Sequence, residues 1–115
     1  MRCLLPKADA QAFLGVCYEK GRGVAQDFKK AVKYYSMAAN AQGNAYAQYN
    51  LGRCYEKGQG VAQDFKKAVE YYSMAAAQGS AGAQFHLGVC YYKGQGVAQD
   101  FEEAVKYYAM SAAQG

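Results

Sequence analysis

The chain has 115 residues, of which 52% are hydrophobic and 19% charged, with 12 tyrosines, one proline and no tryptophan. This composition allows one domain with a buried core and excludes intrinsic disorder, and no stretch reaches the ~18 consecutive apolar residues of a membrane span. The net charge of +4 comes from interspersed acidic and basic residues, so we expect neither a nucleic acid nor a membrane as a partner.

The first six residues, which include the unmatched Cys3, precede the first predicted helix. Their apolar patch is shorter than the ~7–15 residues of a signal-peptide core. We therefore interpret residues 1–6 as a lead-in to the helix or as the remnant of a truncation. Unpaired thiols and the lack of a signal peptide predict a cytoplasmic location. A truncated N-terminus would instead allow a periplasmic or secreted protein.

The rest of the chain consists of three similar units. Leu-Gly dipeptides recur at separations of 37 and 36 residues, and an aspartate and a Tyr-Tyr pair recur at the same offsets. The units are residues 7–43, 44–79 and 80–115, and the last two are identical at 25 of 36 positions. The extra residue of the first unit lies near Asn40. This period predicts a single domain whose units stack to bury a common core.

Each unit predicts a first helix that ends in a glycine-rich loop. In the second unit, one apolar face of this helix is formed by Ala47, Leu51, Cys54 and Tyr55. Gly52 lies within the helix, where glycine costs up to ~1 kcal/mol relative to alanine. Its recurrence in all three units indicates the close approach of a neighbouring helix. Gly58 ends the helix, and a Gly-Gln-Gly-Val-Ala-Gln loop follows.

The second helix of each unit is predicted to begin at an aspartate cap, such as Asp64 or Asp100. Its buried stripe in the second unit comprises Phe65, Ala68, Val69, Tyr72 and Ala76. We expect the later tyrosine of each Tyr-Tyr pair in the core, at Tyr35, Tyr72 and Tyr108, and the earlier one at a junction between repeats. Core packing is favoured over a base-stacking platform for RNA.

Residues 7–115 closely resemble the Sel-one-like repeat (SLR) family, relatives of the tetratricopeptide repeats, through the pattern A-x-A-Q-x-x-L-G-x-C-Y-x-K-G-x-G-V-A-Q-D-F-x-x-A-V-x-Y-Y. The resemblance implies an all-α, right-handed α-α superhelix (solenoid) of three antiparallel helix pairs. It also implies a role as an adaptor or assembly scaffold. Secreted cysteine-rich relatives, some labelled penicillin-binding or β-lactamase proteins, pair one cysteine from each helix of a repeat. This chain has Met-Ala-Ala where the second cysteine would stand, so that disulfide scheme cannot apply.

Three of the four cysteines, Cys17, Cys54 and Cys90, occupy one equivalent position on the first helices. An even count invites a disulfide interpretation. However, equivalent positions in adjacent repeats should lie ~10 Å apart, and a disulfide needs Cα atoms within about 7 Å. Buried free thiols are the favoured interpretation.

No catalytic, metal or cofactor site is predicted. His86 and Cys90 are four residues apart on one helix, but structural zinc needs about four ligands. The Gly-x-Gly loops lack the preceding strand, the third glycine and the Lys-Ser/Thr of phosphate-binding loops. None of the serines begins the Ser-x-x-Lys motif of a serine β-lactamase. We therefore do not expect an enzyme.

A binding groove is predicted on the first helices. Six of the 11 positions at which the second and third units differ lie there: residues 44, 46, 49, 50, 53 and 56. We expect these to face something other than a repeat neighbour. Alignment with the related Leu-Gly-x-x-Tyr of tetratricopeptide repeats implies groove residues Tyr46, Tyr49, Arg53, Glu56 and Lys57 in the second unit, Phe85, Val89, Tyr92 and Lys93 in the third, with Gly82 leaving room, and Asp9, Ala12, Val16, Glu19 and Lys20 in the first.

These observations predict a protein–protein interaction scaffold that binds a partner peptide or helix in a concave groove. The main alternative is a structural spacer, a fragment of a longer repeat array. A β-lactamase-like hydrolase and an RNA-binding protein are further alternatives. The second helix of the last unit leaves an apolar flank exposed, which predicts either such a fragment or end-to-end self-association.

Overall fold

A computed structural model describes residues 7–114, so the lead-in at residues 1–6, with Cys3, lies outside the described residues. Residues 7–114 form six α-helices, paired as three consecutive hairpins, and a short π-helix that extends the second. The elements are α1 (Lys7–Lys20), α2 (Phe28–Ser36), the π-helix (Met37–Ala41), α3 (Ala45–Lys57), α4 (Phe65–Ala77), α5 (Ala81–Lys93) and α6 (Phe101–Ala113). The predicted all-α fold of helix pairs is confirmed.

The helix ends follow the predicted signals. The Asp64 carboxylate accepts a hydrogen bond from a backbone N–H in the first turn of α4, at 3.1 Å. The same cap begins the other second helices, at Asp27 and Asp100. After α3, Gly58 adopts a φ of 69°, a left-handed conformation in which glycine is unstrained. Asn44 and Ser80 cap α3 and α5, although these equivalent positions differ in residue type.

The core lies between the two helices of each repeat and continues across the junctions. Tyr35 and Tyr72 are completely buried within it. The predicted close approach at Gly52 is made by Tyr72, because a Cβ on this glycine would lie 2.8 Å from the tyrosine ring. The recurring Leu-Gly and Tyr-Tyr dipeptides are therefore two sides of one contact.

The predicted apolar stripes are confirmed at their centres and less so at their margins. The buried members are Ala47, Leu51, Cys54, Ala68, Tyr72 and Ala76, whereas Tyr55, Phe65 and Val69 are half-buried. Tyr108, also predicted in the core, is less buried than Tyr35 and Tyr72. It is half-buried, because no described helix follows α6 to cover it.

A second set of tyrosines stacks in pairs between the two helices of each repeat. The ring centroids are 5.7–5.9 Å apart and the ring planes lie within 5° of parallel, in Tyr18–Tyr34, Tyr55–Tyr71 and Tyr91–Tyr107. The Tyr71 hydroxyl also donates to Oδ1 of Asn40 in the first repeat at 3.1 Å, which confirms the predicted junction role for this tyrosine. Tyr107 packs against the core cluster that α4 and α5 share.

The extra residue of the first repeat is absorbed by the π-helix, which contains Asn40 and so confirms the predicted position. A π-helix accommodates one more residue per turn than an α-helix. In each later repeat, a glutamine after the second helix donates a hydrogen bond to a glutamine on the first helix of the same repeat. In the second repeat, Gln78 donates to Gln48 at 2.9 Å. In the first repeat the corresponding acceptor, the buried Oε1 of Gln11, has no partner within residues 7–114.

Candidate binding face

The first helices of the repeats, α1, α3 and α5, carry all the predicted groove residues and contact one another through side chains. The ring of Phe13 lies 5.8 Å from that of Tyr46, and Nη1 of Arg53 lies 3.7 Å from Oε2 of Glu19. We call this shared surface the first-helix face, comprising Asp9, Ala12, Phe13, Val16, Glu19 and Lys20 of α1, Tyr46, Tyr49, Arg53, Glu56 and Lys57 of α3, and Phe85, Val89, Tyr92 and Lys93 of α5.

Four aromatic side chains on this face are largely open to solvent. Phe13 is 60% exposed, and Tyr46, Phe85 and Tyr92 are between 45% and 53% exposed. Phe13 and Tyr46 also line an open cavity of about 400 Å³, together with Asp9 and the buried Ala12. Sequence reasoning missed Phe13, because its equivalents are Asn50 and His86 and no shared aromatic marks the position.

Tyr49 and Arg53 are less available to a partner than their predicted role requires. The Tyr49 ring lies 5.6 Å from the His86 ring and over Gly82, where a Cβ would lie 3.0 Å from Cζ. The room left by Gly82 is thus occupied by Tyr49. Arg53 donates to Oδ1 of Asn50 at 3.1 Å and pairs with Glu19 of the preceding repeat. Both side chains are half-buried and help join the repeats.

Both glutamates of the first-helix face accept a hydrogen bond from a buried tyrosine of the same repeat. The Tyr35 hydroxyl donates to Glu19 Oε1 at 2.5 Å, and the equivalent Tyr72 hydroxyl donates to Glu56 Oε1 at 2.5 Å. Glu56 also lies 3.7 Å from Nδ1 of His86. Glu19 and Glu56 therefore act as internal hydrogen-bond acceptors. The exposed charges of the face are Asp9 on α1 and the lysines at the helix ends, Lys20, Lys57 and Lys93.

The expectation that the variable positions face something other than a repeat neighbour is wrong for most of them. Arg53 pairs with Glu19 across the first junction, whereas Glu56 faces His86 across the second. Asn44 donates to Asp9 at 2.9 Å, again across the first junction. These differences arise because each junction carries its own set of matched polar contacts.

Burial changes the acid–base behaviour of the groups at these junctions. It lowers the pKa of the His86 imidazole, and nearby Glu56 opposes this effect without reversing it. Burial is the larger cause that raises the pKa of the Tyr72 hydroxyl, and the hydrogen bond to Glu56 raises it further. The same two causes raise the pKa of Tyr35, with Glu19 as its acceptor. At neutral pH, His86 is therefore neutral, and the hydroxyls of Tyr35 and Tyr72 are protonated.

Three cysteines lie behind the first-helix face as free thiols. Cys54 and Cys90 are buried in the core, as predicted, whereas Cys17 is half-exposed. Burial raises the pKa of both Cys54 and Cys90 to about 11. Residues 7–114 bring together no group of three or more His, Cys, Asp or Glu side chains that could hold a metal ion. Within the same range, every helix falls short of the length and hydrophobicity that a membrane crossing requires.

Comparison with known proteins identifies the repeat. The family model of the Sel1 repeat matches residues 8–42, 45–80 and 81–115. Among solved structures, a protective antigen of uropathogenic Escherichia coli strains displaying an SLR fold aligns over 94% of this chain with a TM-score of 0.91 and 39% identity. A Sel1 repeat protein from Oxalobacter formigenes aligns over 94% with a TM-score of 0.89 and 38% identity. These matches confirm the right-handed α-α superhelix of three antiparallel helix pairs.

Helicobacter pylori cysteine rich protein B is more distant, with a TM-score of 0.75 and 26% identity over 93% of this chain and 86% of its own. No curated protein is significantly similar in sequence. This chain spans 23% of the length of the Escherichia coli antigen and 44% of that of the Oxalobacter protein, so the likeness to both concerns the repeats alone.

Proposed function

The chain belongs to the Sel1 repeat family, whose members are generally protein–protein interaction modules, and from this premise we propose that it binds a peptide or helix of a partner protein on the first-helix face. The family is typically non-enzymatic. The scaffold holds the binding residues at fixed spacing, so the partner docks without the scaffold having to order. The proposal extends the family's general role to one surface of this chain.

The observation that carries the proposal is the set of exposed aromatic rings on adjacent first helices. Phe13, Tyr46, Phe85 and Tyr92 are each 45% exposed or more. The first two line an open cavity of about 400 Å³, large enough to receive a side chain of the partner. Exposed aromatics next to a cavity are the usual anchors of a protein interface.

Charge favours one class of partner. The acidic Glu19 and Glu56 are held by Tyr35 and Tyr72, whereas Lys57 and Lys93 are exposed and have no ion pair within residues 7–114. The exposed charge is therefore positive at the ends of α3 and α5, whereas the exposed carboxylate of Asp9 lies beside the cavity on α1. We expect a segment with apolar side chains near the aromatics and carboxylates near the lysines.

The test is selection of binders from a displayed peptide library, followed by titration against point variants. Phe85→Ala and Tyr92→Ala remove exposed rings, and we expect each to weaken binding by about tenfold or more. Met74→Ala is the matched control, because Met74 is 41% exposed but lies on α4, outside the face. Unchanged helical circular dichroism would show that the variants fold.

If wild type, Phe85→Ala and Tyr92→Ala bind a selected peptide equally, the binding site lies elsewhere on the chain. Failure of every peptide to bind would favour the alternative role as a structural spacer. Variants at Tyr49 or Arg53 are unsuitable for this test, because both side chains also join neighbouring repeats. Loss of binding in such variants would not separate partner contact from damage to the scaffold.

A further inference from the structure

The loops of the second and third repeats lie directly against the second helix of the repeat before them. A Cβ on Gly60 would lie 2.5 Å from the carbonyl oxygen of Phe28 and 2.9 Å from Cγ2 of Val32. On Gly96 it would likewise overlap the carbonyl oxygen of Phe65 and lie 2.9 Å from Cγ2 of Val69. The second glycine of each of these loops therefore leaves a space into which a helix of the preceding repeat packs. We call this space the slot.

Among the described residues, nothing fills the equivalent slot of the first repeat. A Cβ on Gly23 would meet nothing within 4 Å among residues 7–114. On α1, Leu14 is 36% exposed, whereas the equivalent Leu51 and Leu87 are 0% and 1% exposed. We call the surface formed by Phe13, Leu14 and Gly23 the leading face.

The other end of the solenoid presents the group that such a slot accepts. On α6, Phe101 and Val105 occupy the positions of Phe65 and Val69 that Gly96 contacts. Val105 is 65% exposed, whereas Val69 is half-buried. We call the surface formed by Phe101, Val105 and Tyr108 the trailing face.

Aromatic side chains complete the match between the two faces. At the second junction His86 stacks on Tyr72, with ring centroids 5.3 Å apart and 16° between the planes. Phe13 is the equivalent of His86 on the leading face, and Tyr108 is the equivalent of Tyr72 on the trailing face. Stacking two copies in the register of an internal junction would place Phe13 of one copy against Tyr108 of the other.

We propose that a second copy of this chain docks head to tail, with its leading face on the trailing face of the first. The contacts reproduce the glycine slot and the adjacent valine of both internal junctions and the stacked aromatic pair of the second. This continuity with an interface already present in the molecule is the reason for assigning the face to a second copy of this chain. The proposal goes beyond partner binding, although the surfaces adjoin: Phe13 belongs to both the first-helix face and the leading face, and Phe85 and Tyr92 pack against Tyr108 and Phe101 of the trailing face. The variants that test it therefore change Gly23 and Val105, which lie outside the first-helix face.

Sedimentation velocity over about 10 μM to about 1 mM tests the association. The wild-type sedimentation coefficient should rise with concentration. Gly23→Asn should keep the chain monomeric, because asparagine tolerates the left-handed conformation but its Cβ fills the slot. Gly43→Asn is the matched control, since Gly43 also has positive φ (67°) and open space around it.

Val105→Glu is the corresponding change on the trailing face, where docking would bury an unpaired charge. We expect it to weaken association by about tenfold or more. Met110→Glu is its control on the same helix. Met110 is 39% exposed and the equivalent Met74 is 41% exposed, so a following repeat does not cover this position.

Mixing the two face variants tests the head-to-tail arrangement itself. Gly23→Asn retains an intact trailing face and Val105→Glu an intact leading face, so an equimolar mixture should form dimers and nothing larger. A monomeric wild type at every concentration would overturn the proposal and leave these faces to another repeat or another partner. Wild-type-like association of either face variant, or a mixture that stays monomeric, would also overturn it.

Discussion

The Tyr72 hydroxyl donates a 2.5 Å hydrogen bond to Oε1 of Glu56, joining the core of the second repeat to its first-helix face. Tyr35 and Glu19 make the same bond in the first repeat. In the third repeat the glutamate position is occupied by Tyr92, so Tyr108 has no equivalent carboxylate acceptor. The three repeats thus share a tyrosine but differ in what it binds.

This difference predicts unequal effects of removing the hydroxyl. Tyr72→Phe should lower the free energy of unfolding by about 1.5–3 kcal/mol, because it removes a part-buried hydrogen bond to a carboxylate. Tyr108→Phe is the matched control and should change it by less than about 0.5 kcal/mol. Urea denaturation followed by circular dichroism measures both. Equal losses in the two variants would contradict a special role for Glu56.

The contact between Gly52 and Tyr72 predicts that alanine at position 52 lowers the stability of the fold, although helix propensity alone favours alanine there. Gly52→Ala gains about 1 kcal/mol in propensity, but its Cβ would lie 2.8 Å from a fully buried ring. With overpacking costs of about 1–3 kcal/mol, we expect a net loss of about 1 kcal/mol. Gly82→Ala should be nearly neutral or stabilising, because the half-buried Tyr49 ring beside it can move. Denaturation of both variants checks the contrast, and a more stable Gly52→Ala would refute it.

The position of His86 predicts a component of stability that depends on pH. Because burial lowers the pKa of His86 in the folded chain below its ordinary value of 6.5, the unfolded chain binds the proton first as pH falls. This component is therefore present above pH 6.5 and is lost as pH falls from 6.5 towards the lowered folded pKa. Unfolding free energies of wild type and His86→Asn, compared at several pH values, isolate it. Asparagine stands at the equivalent position of the second repeat, and identical pH profiles would contradict the prediction.

The free thiols should differ in reactivity. In a Cys3→Ser background at pH 8, a disulfide reagent should modify the half-exposed Cys17 first. Cys54 and Cys90 should react at least about 100-fold more slowly than an unshifted thiol, because burial raises the pKa of each to about 11 from a usual 9.0. Peptide mapping by mass spectrometry identifies the order. In urea all three should react alike, and early modification of Cys54 in the folded chain would contradict its burial.

Much of the fold could be predicted because its signals are local and repeated. The cap at Asp64 and the left-handed Gly58 each depend on a few neighbouring residues, and their recurrence in three units strengthened the prediction. The contact at Gly52 was predicted from the unfavourable propensity of glycine within a helix. The sequence also indicated the extra residue near Asn40, although not the π-helix that contains it.

The polar contacts of the candidate face could not be predicted in this way. Arg53 meets Glu19 only because the stagger between repeats brings them together, and Glu56 meets Tyr72 through the crossing of two helices. These geometries depend on packing rather than on sequence spacing. For the same reason, variation at Arg53 and Glu56 predicts an external partner when only the sequence is considered, although the side chains join neighbouring repeats.

The parallel tyrosine pairs give each repeat its own optical signal. The chain has no tryptophan, so its near-ultraviolet spectrum comes mainly from tyrosine, and closely stacked rings held at a fixed angle couple their transitions. Tyr34→Phe would silence the pair of the first repeat, and Tyr107→Phe that of the third. Difference spectra recorded during heating would then report whether an outer repeat unravels before the middle one, without any added label.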